Sequence, residues 1–323
     1  AAEARPLVAG VTSGVAPSRS GRVPLTPVQQ WFFEQRVPNR AHWNQAVLFE
    51  IANLPPRAVE AGLRAALSAH DVFALRFTRH DDGWRQEYGT PPEAEPRLPV
   101  FPVARTREVA ESLHRALDIG RGPLLRAALF LGAEGDKPRL LLVAHHLVMD
   151  AFSWRILVED IITAARDAAE GRAPNVAQPP VSFRGWSEWL AREAADDALG
   201  HRAAPYLEQL ERPTSRLPRD MPSGVASERS LASVSRVLPP DETAAMDERL
   251  ARRAGMGTSH VLLAAVSSGL SQWMNGGTVR IDVESHGRDA AGELDMSRTV
   301  GWFTGIAPVV LPVGEAQDIP GLL

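Results

Sequence analysis

No cysteine occurs among these 323 residues, so the chain forms no disulfide, offers no thiolate nucleophile and holds no zinc through sulfur. No apolar run approaches the roughly 20 residues that a membrane-spanning helix needs. The first residues also lack a charged region followed by an apolar one, the pattern of an export signal. Lys and Arg are scattered rather than blocked, and with a net charge of −4 there is no electrostatic footprint for DNA or RNA. A Gly-rich phosphate loop, a dinucleotide fingerprint and a Gly-x-Ser-x-Gly elbow are all missing, as is the His-x3-His spacing of a helix-borne metal site. No internal repeat is visible. These absences lead us to expect a soluble, cytoplasmic protein that acts on neither nucleic acid nor membrane.

What is present describes a globular chain. Hydrophobic residues make up 44% and charged residues 23% of it, and its length is near that expected for two domains. Residues 1–23 are rich in Gly, Ser, Pro, Ala and Arg without an apolar period and read as a linker or tail. The start, Ala-Ala-Glu without methionine, reads as a piece cut from something larger. Thr26 before Pro27 can cap a helix with Val28, Trp31 and Phe32 on one side, and Gln45 to Ile51 alternates as a strand. Val59, Leu63 and Leu67 recur at helical spacing. Short strands near Phe73 to Phe77 and Trp84 to Tyr88 precede a helix near Arg107 to Leu117. Strands from Leu124 to Leu131 and Arg139 to His146 precede a helix from about Phe152 to Glu170. Gly171 to Val181 breaks every period, which places a domain boundary there and divides the structured chain into 24–172 and 173–323. In the second part the pattern predicts helices near Phe183 to Ala195 and His201 to Arg212, and a strand at about Ser230 to Leu238. Beyond these it predicts a helix opened by Pro240 with Met246 and Leu250 on its apolar face, a buried helix from Ser259 to Trp273, and a strand from Val279 to Glu284.

The chemistry gathers at two strand ends. Arg139 to Ala144 is apolar at nearly every position, so the strand is covered on both faces and central in a sheet. It delivers His145 and His146, which point to opposite sides, so one is structural and the other a candidate base. Asp150 follows one turn later, with Arg155 or Arg288 as a partner for a buried carboxylate. A His, His, Asp cluster can also be a metal site, but the two histidines diverge and no further ligand pair appears. In the later strand Val279, Ile281 and Val283 face one way and Arg280, Asp282 and Glu284 the other. Glu284 thus stands at the polar end, just before Ser285-His286-Gly287-Arg288-Asp289, where glycine at 287 permits a left-handed turn. If both ends face one cleft, an imidazole and a carboxyl approach a substrate from different sides. That suits removal of a proton beside a carbonyl on one face and its return on the other. The tryptophans at 31, 43, 154 and 302 read first as core or interface residues.

At these residues the chain resembles the condensation-domain superfamily of nonribosomal peptide synthetases, whose hallmark is His-His-x3-Asp-Gly, and within it the epimerization subgroup. Four passages carry the resemblance. Pro27-Val-Gln-Gln-Trp-Phe32 with His42-Trp-Asn-Gln45 is similar to the subgroup's opening, and His145-His-Leu-Val-Met-Asp-Ala-Phe-Ser-Trp-Arg-Ile-Leu157 to its active-site motif. Glu284-Ser-His-Gly-Arg-Asp289 is similar to Glu-Gly-His-Gly-Arg-Glu, and Ser297-Arg-Thr-Val-Gly-Trp-Phe-Thr304 to the subgroup's most distinctive signature. Order and spacing agree from about Leu25 to Leu311.

The resemblance implies an α/β (α+β) fold of two chloramphenicol-acetyltransferase-like lobes forming a V-shaped pseudo-dimer with a tunnel between them, the second lobe incomplete in this chain. It implies an isomerase that inverts Cα of an aminoacyl or peptidyl thioester. That substrate rides on the phosphopantetheine arm of a peptidyl carrier protein, with neighbouring synthetase domains as further partners and with no metal and no other cofactor bound directly. By match of motif, His146 and Glu284 are the catalytic pair, while His145, Asp150 and Arg288 hold the motif, Asp150 acting through Arg288. Ala151, Ser153, Trp154, Ser285, His286 and Trp302 are expected along the substrate channel. Two positions depart from the pattern: Ala151 stands where the motif has glycine after Asp150, and Ser285 where it has glycine after Glu284. Two other readings stay open, an amide-bond-forming condensation domain and a catalytically silent module that docks carriers or tailoring enzymes.

Overall fold

The computed structural model describes residues 19–89, 97–225, 227, 230–246, 248, 257–274, 277–291 and 294–313. In chain order the first elements are β1 (Arg22–Val23), α1 (Pro27–Glu34), β2 (Asn44–Glu50), α2 (Pro56–Ala69), β3 (Leu75–His80), β4 (Gly83–Tyr88) and β5 (Val100–Pro102). Then come α3 (Thr106–Arg115), β6 (Leu125–Leu131), β7 (Arg139–His145), α4 (Ala151–Ala169) and α5 (Phe183–Ala194). The last are α6 (Asp197–Leu210), α7 (Pro240–Met246), α8 (Thr258–Met274), β8 (Gly277–Ser285) and β9 (Gly305–Val313). The residues group into two compact units, one of 1–196 with Ser285–Gly305 and the other of Asp197–Glu284 with Ile306–Leu323.

The first unit is built around a four-stranded sheet of order β2-β7-β6-β5. β7 pairs antiparallel with both neighbours, while β5 joins β6 in parallel. From Leu140 to His145 every residue of β7 is buried, as an unbroken apolar run with cover on both faces requires. On one face Leu141 and Val143 join Ala128 and Phe130 of β6 under Val109 and Leu113 of α3; on the other, Leu140, Leu142 and Ala144 are equally enclosed. A smaller antiparallel sheet has the order β1-β4-β3. It includes Arg22 and Val23, the end of the segment expected to be a tail, while residues 1–18 lie outside the described residues. α2 and α4 lie along one another, and they approach so closely at Gly62 that a Cβ there would stand 2.3 Å from the Ile161 carbonyl oxygen.

Several details differ from the sequence expectations. Trp31 is exposed, because α1 buries Val28, Gln29, Phe32 and Phe33 instead. Polar Gln29 can face inward because its side chain is satisfied there: its Oε1 accepts from Thr26 N–H at 3.0 Å, and its Nε2 donates to Gln86 Oε1 at 2.9 Å. The passage 173–196 groups with the first unit rather than with the chain beyond it. It is pinned there by the Asp71 carboxylate, which accepts the Phe183 and Arg184 backbone N–H groups at the start of α5.

In the second unit β8 and β9 form a two-stranded sheet. Ser215 N–H donates to the Thr278 carbonyl at 2.7 Å, and Tyr206 Oη donates to the Pro308 carbonyl at 2.6 Å. β8 alternates as its sequence predicts, with Val279 buried and Arg280, Asp282 and Glu284 exposed. Two expectations are corrected. Residues 231–239 form no strand, and Leu231, Val234 and Val237 are exposed; their backbone meets no partner strand among the described residues, and an unpaired strand has nothing to satisfy its ladder. α8 buries Val261, Ala264 and Ser267 but exposes Leu262, Val266 and Trp273, so its apolar circumference is only partly covered. Leu250 lies outside the described residues.

Candidate active site

β7 ends one residue earlier than its sequence predicts. His145 is its last residue and His146 opens a single turn of 3-10 helix, His146–Val148. The two backbone N–H groups already part company: that of His145 donates to Leu124 O and that of His146 to Trp43 O. The rings diverge as expected. His145 is fully buried; its Nδ1 accepts from Leu147 N–H at 3.1 Å, and its Nε2 stands 2.7 Å from the Arg40 carbonyl oxygen. A carbonyl can only accept, so the His145 proton sits on Nε2. Burial pushes its pKa down to about 4, with the neighbouring His146 adding to the effect and the Arg40 carbonyl opposing it. His145 is therefore a neutral structural bracket between β7 and the segment around Arg40.

His146 is half-buried. Its Nε2 stands 2.8 Å from Gln45 Nε2 of β2, and Trp302 packs on the ring with centroids 4.3 Å apart and planes at 44°. Gln45 is held in turn by Trp154, whose Nε1–H donates to Gln45 Oε1 at 2.9 Å. Trp302 is itself buried, and its Nε1 has no hydrogen-bond partner among the described residues.

Asp150 is the N-cap of α4. Its Oδ1 accepts from Ser153 N–H at 2.7 Å and its Oδ2 from Phe303 N–H at 3.2 Å. Of the two arginines open as partners, Arg288 is the one alongside, its Nη2 3.6 Å from Asp150 Oδ1 with both side chains buried. Arg288 also donates to the carbonyls of Met296 and Thr299, at 2.8 and 2.9 Å, and to Ser153 Oγ at 3.0 Å. It lies over the Phe152 and Phe303 rings at 4.5 and 4.2 Å. Burial pulls the guanidinium below its usual range and Asp150 works against that. Ser153 closes the knot: its Oγ donates to Gly301 O at 2.9 Å and accepts Gly301 N–H at 3.1 Å. The His-His-x3-Asp turn and the passage 297–304 are thus stitched together.

The turn after β8 follows the sequence expectation. Gly287 has φ +68°, and a Cβ there would stand 1.7 Å from the Phe303 carbonyl oxygen, so no other residue fits. His286 is exposed and pairs with Asp289 at 3.3 Å. The two departures from the motif create no backbone strain, since Ala151 is the exposed first residue of α4 and Ser285 the exposed last residue of β8. One compact unit therefore brings together His145, His146, Asp150, Ala151, Ser153, Trp154, Ser285, His286, Arg288 and Trp302; Glu284, exposed at the polar end of β8, belongs to the other. Among the described residues no three His, Asp or Glu side chains gather closely enough to hold a metal ion. Sequence reasoning gave no role to Gln45, Gly301 or Phe303. All three lie in the quoted motifs, but a glutamine, a glycine and a phenylalanine carry no titratable group to draw attention.

Comparison with known proteins fits this geometry. Residues 19–323 match the family model of the condensation domain. The chain is 36% identical over 305 residues to a chondramide synthase of Chondromyces crocatus, covering 90% of this chain and 8% of that protein. It is 32% identical over 316 residues to tyrocidine synthase 1 of Brevibacillus parabrevis, covering 93% of this chain and 28% of that protein. It thus spans a small part of the relatives it matches. Among solved structures, the epimerization domain from the third module of tyrocidine synthetase B superposes with a TM-score of 0.84 at 29% identity, over 94% of this chain and 71% of that one. The first condensation domain of the calcium-dependent antibiotic synthetase gives 0.71 at 22% identity, over 94% and 72%; at that identity the likeness shows the fold alone. With its motif geometry, its family match and its relatives in agreement, the chain belongs to the condensation domain family of nonribosomal peptide synthetases.

Proposed function

We propose that this domain epimerizes Cα of an aminoacyl or peptidyl thioester carried on the phosphopantetheine arm of a peptidyl carrier protein. In this reading one of the two groups, His146 or Glu284, removes the Cα proton on one face, the electron pair delocalises into the thioester carbonyl as an enolate, and the other returns a proton on the opposite face. The reading requires both groups to reach a common passage. An enolate needs a donor, and the buried indole N–H of Trp302, against His146, is available among the described residues. The arm brings its own thioester, so no cofactor beyond it takes part, and covalent tethering raises the carrier's effective concentration at the site.

One observation carries the reading. The passage 297–304 is stitched to the His-His-x3-Asp turn through Asp150, Ser153 and Arg288, and Glu284 precedes the Gly287 turn that the same passage closes. An amide-forming condensation domain needs the histidine but has no evident use for these additions. Likeness to an epimerization domain at 29% identity supports it. The test is to load carriers with L- or D-aminoacyl and peptidyl thioesters and to analyse the configuration of the released residue. Approach to one L/D mixture from both sides is the expected result. Amide formation from two loaded carriers would instead select condensation, and carrier binding with neither reaction would select a docking module.

A further inference from the structure

The contacts of Gln45 fix more than its own position. An indole N–H donates and never accepts, so the atom of Gln45 facing Trp154 Nε1 at 2.9 Å is the amide oxygen. The amide NH₂ is then the group facing His146 Nε2 at 2.8 Å. It, too, only donates. His146 Nε2 must accept, which requires a bare lone pair on Nε2 and leaves the ring proton on Nδ1. The backbone of Gln45 is fixed beside His146, because β2 is locked to β7 in register with Gln45 opposite Ala144 and Asn44 opposite His145. Trp154 is buried in the first turns of α4, and Trp302 restricts the His146 ring from its face.

We infer that Gln45, oriented by the Trp154 indole, is a positioning residue that sets the tautomer of His146, holding its proton on Nδ1 and its lone pair on Nε2. The neighbouring histidines are thereby fixed in opposite tautomers, His145 protonated on Nε2 and His146 on Nδ1. The Arg40 carbonyl and the Leu147 N–H agree on the first, and the Gln45 side-chain amide sets the second. The tautomer stands on these contacts alone; that Gln45 acts through His146 in epimerization rests on the function proposed above. In that function the contact marks Nε2 as the atom that exchanges a proton with Cα once substrate takes the place of the Gln45 amide.

The test is nitrogen-15 NMR of the histidine rings in the full chain without substrate, with His146 identified by the signals lost in His146→Gln. At a pH where the ring is neutral, wild type should show the proton on Nδ1. In Gln45→Glu a carboxylate oxygen still accepts from Trp154, but the atom facing His146 Nε2 now accepts, so the proton should move to Nε2. In Trp154→Phe the amide is free to turn, and both tautomers should appear. A proton on Nε2 in wild type, or a tautomer unchanged in Gln45→Glu, would overturn the inference. Because no substrate is present, that failure is separate from failure of the epimerase reading, which only turnover of loaded carriers addresses.

Discussion

Asp150 caps α4, receives the Phe303 N–H and faces a buried guanidinium. Asp150→Ala therefore removes a cap and leaves Arg288 buried beside no carboxylate, and breaking a pair in this way costs about 3–5 kcal/mol. Urea unfolding at neutral pH should show a loss of that size. Asp150→Asn, which keeps an acceptor at the cap, should lose less; an alanine variant within about 1 kcal/mol of wild type would show that the pair is not structural. His145 predicts a pH dependence. Its folded pKa of about 4 lies below its unfolded value of 6.5, so between these values the unfolded chain binds a proton that the folded one refuses. The contribution is present in full above pH 6.5 and is lost as pH falls toward 4, by up to roughly 3 kcal/mol. In His145→Gln, unfolding free energy measured from pH 7 to pH 4 should fall less steeply than in wild type, and equal slopes would contradict the assignment. At this scale the sequence was legible where a titratable group meets a motif. Gln45 was not, because the meaning of a glutamine depends on which of its two ends faces which neighbour.

The close approach of α2 and α4 depends on a glycine as well as on their apolar stripes. Gly62 lies where a Cβ would meet the Ile161 carbonyl oxygen at 2.3 Å and the Ala165 nitrogen at 2.7 Å, so Gly62→Ala gains nothing from its better helix propensity and must push the helices apart. We expect a loss of about 1–3 kcal/mol in thermal or urea unfolding; a stabilised variant would show that the crossing is looser than described. From sequence, Gly62 is only an unfavourable helix residue, since its reason lies on another element. The central strand β7 was legible because burial on both faces leaves an unbroken apolar run, and β8 because burial on one face leaves an alternation. The stretch 231–239 misled because pairing depends on a partner that local pattern does not reveal. The helix α8 misled for a related reason, since apolar residues all round it do not say which side finds cover.

At the scale of the whole chain, order and spacing of four passages were enough to indicate the family, which the match over residues 19–323 then established. The grouping of 173–196 and Ser285–Gly305 with the first unit was not legible. It depends on long-range bonds such as those from Asp71 to α5 and from Ser153 to Gly301. Epimerization as proposed rests on two side chains that share no compact unit, His146 and Glu284. The most direct test is exchange of the α-proton of a carrier-bound aminoacyl or peptidyl thioester with deuterium from solvent, followed by mass spectrometry in wild type, His146→Ala and Glu284→Ala. Wild type should incorporate deuterium, and each variant should do so about 10²-fold more slowly or worse. Exchange at the wild-type rate in both variants would contradict the proposal.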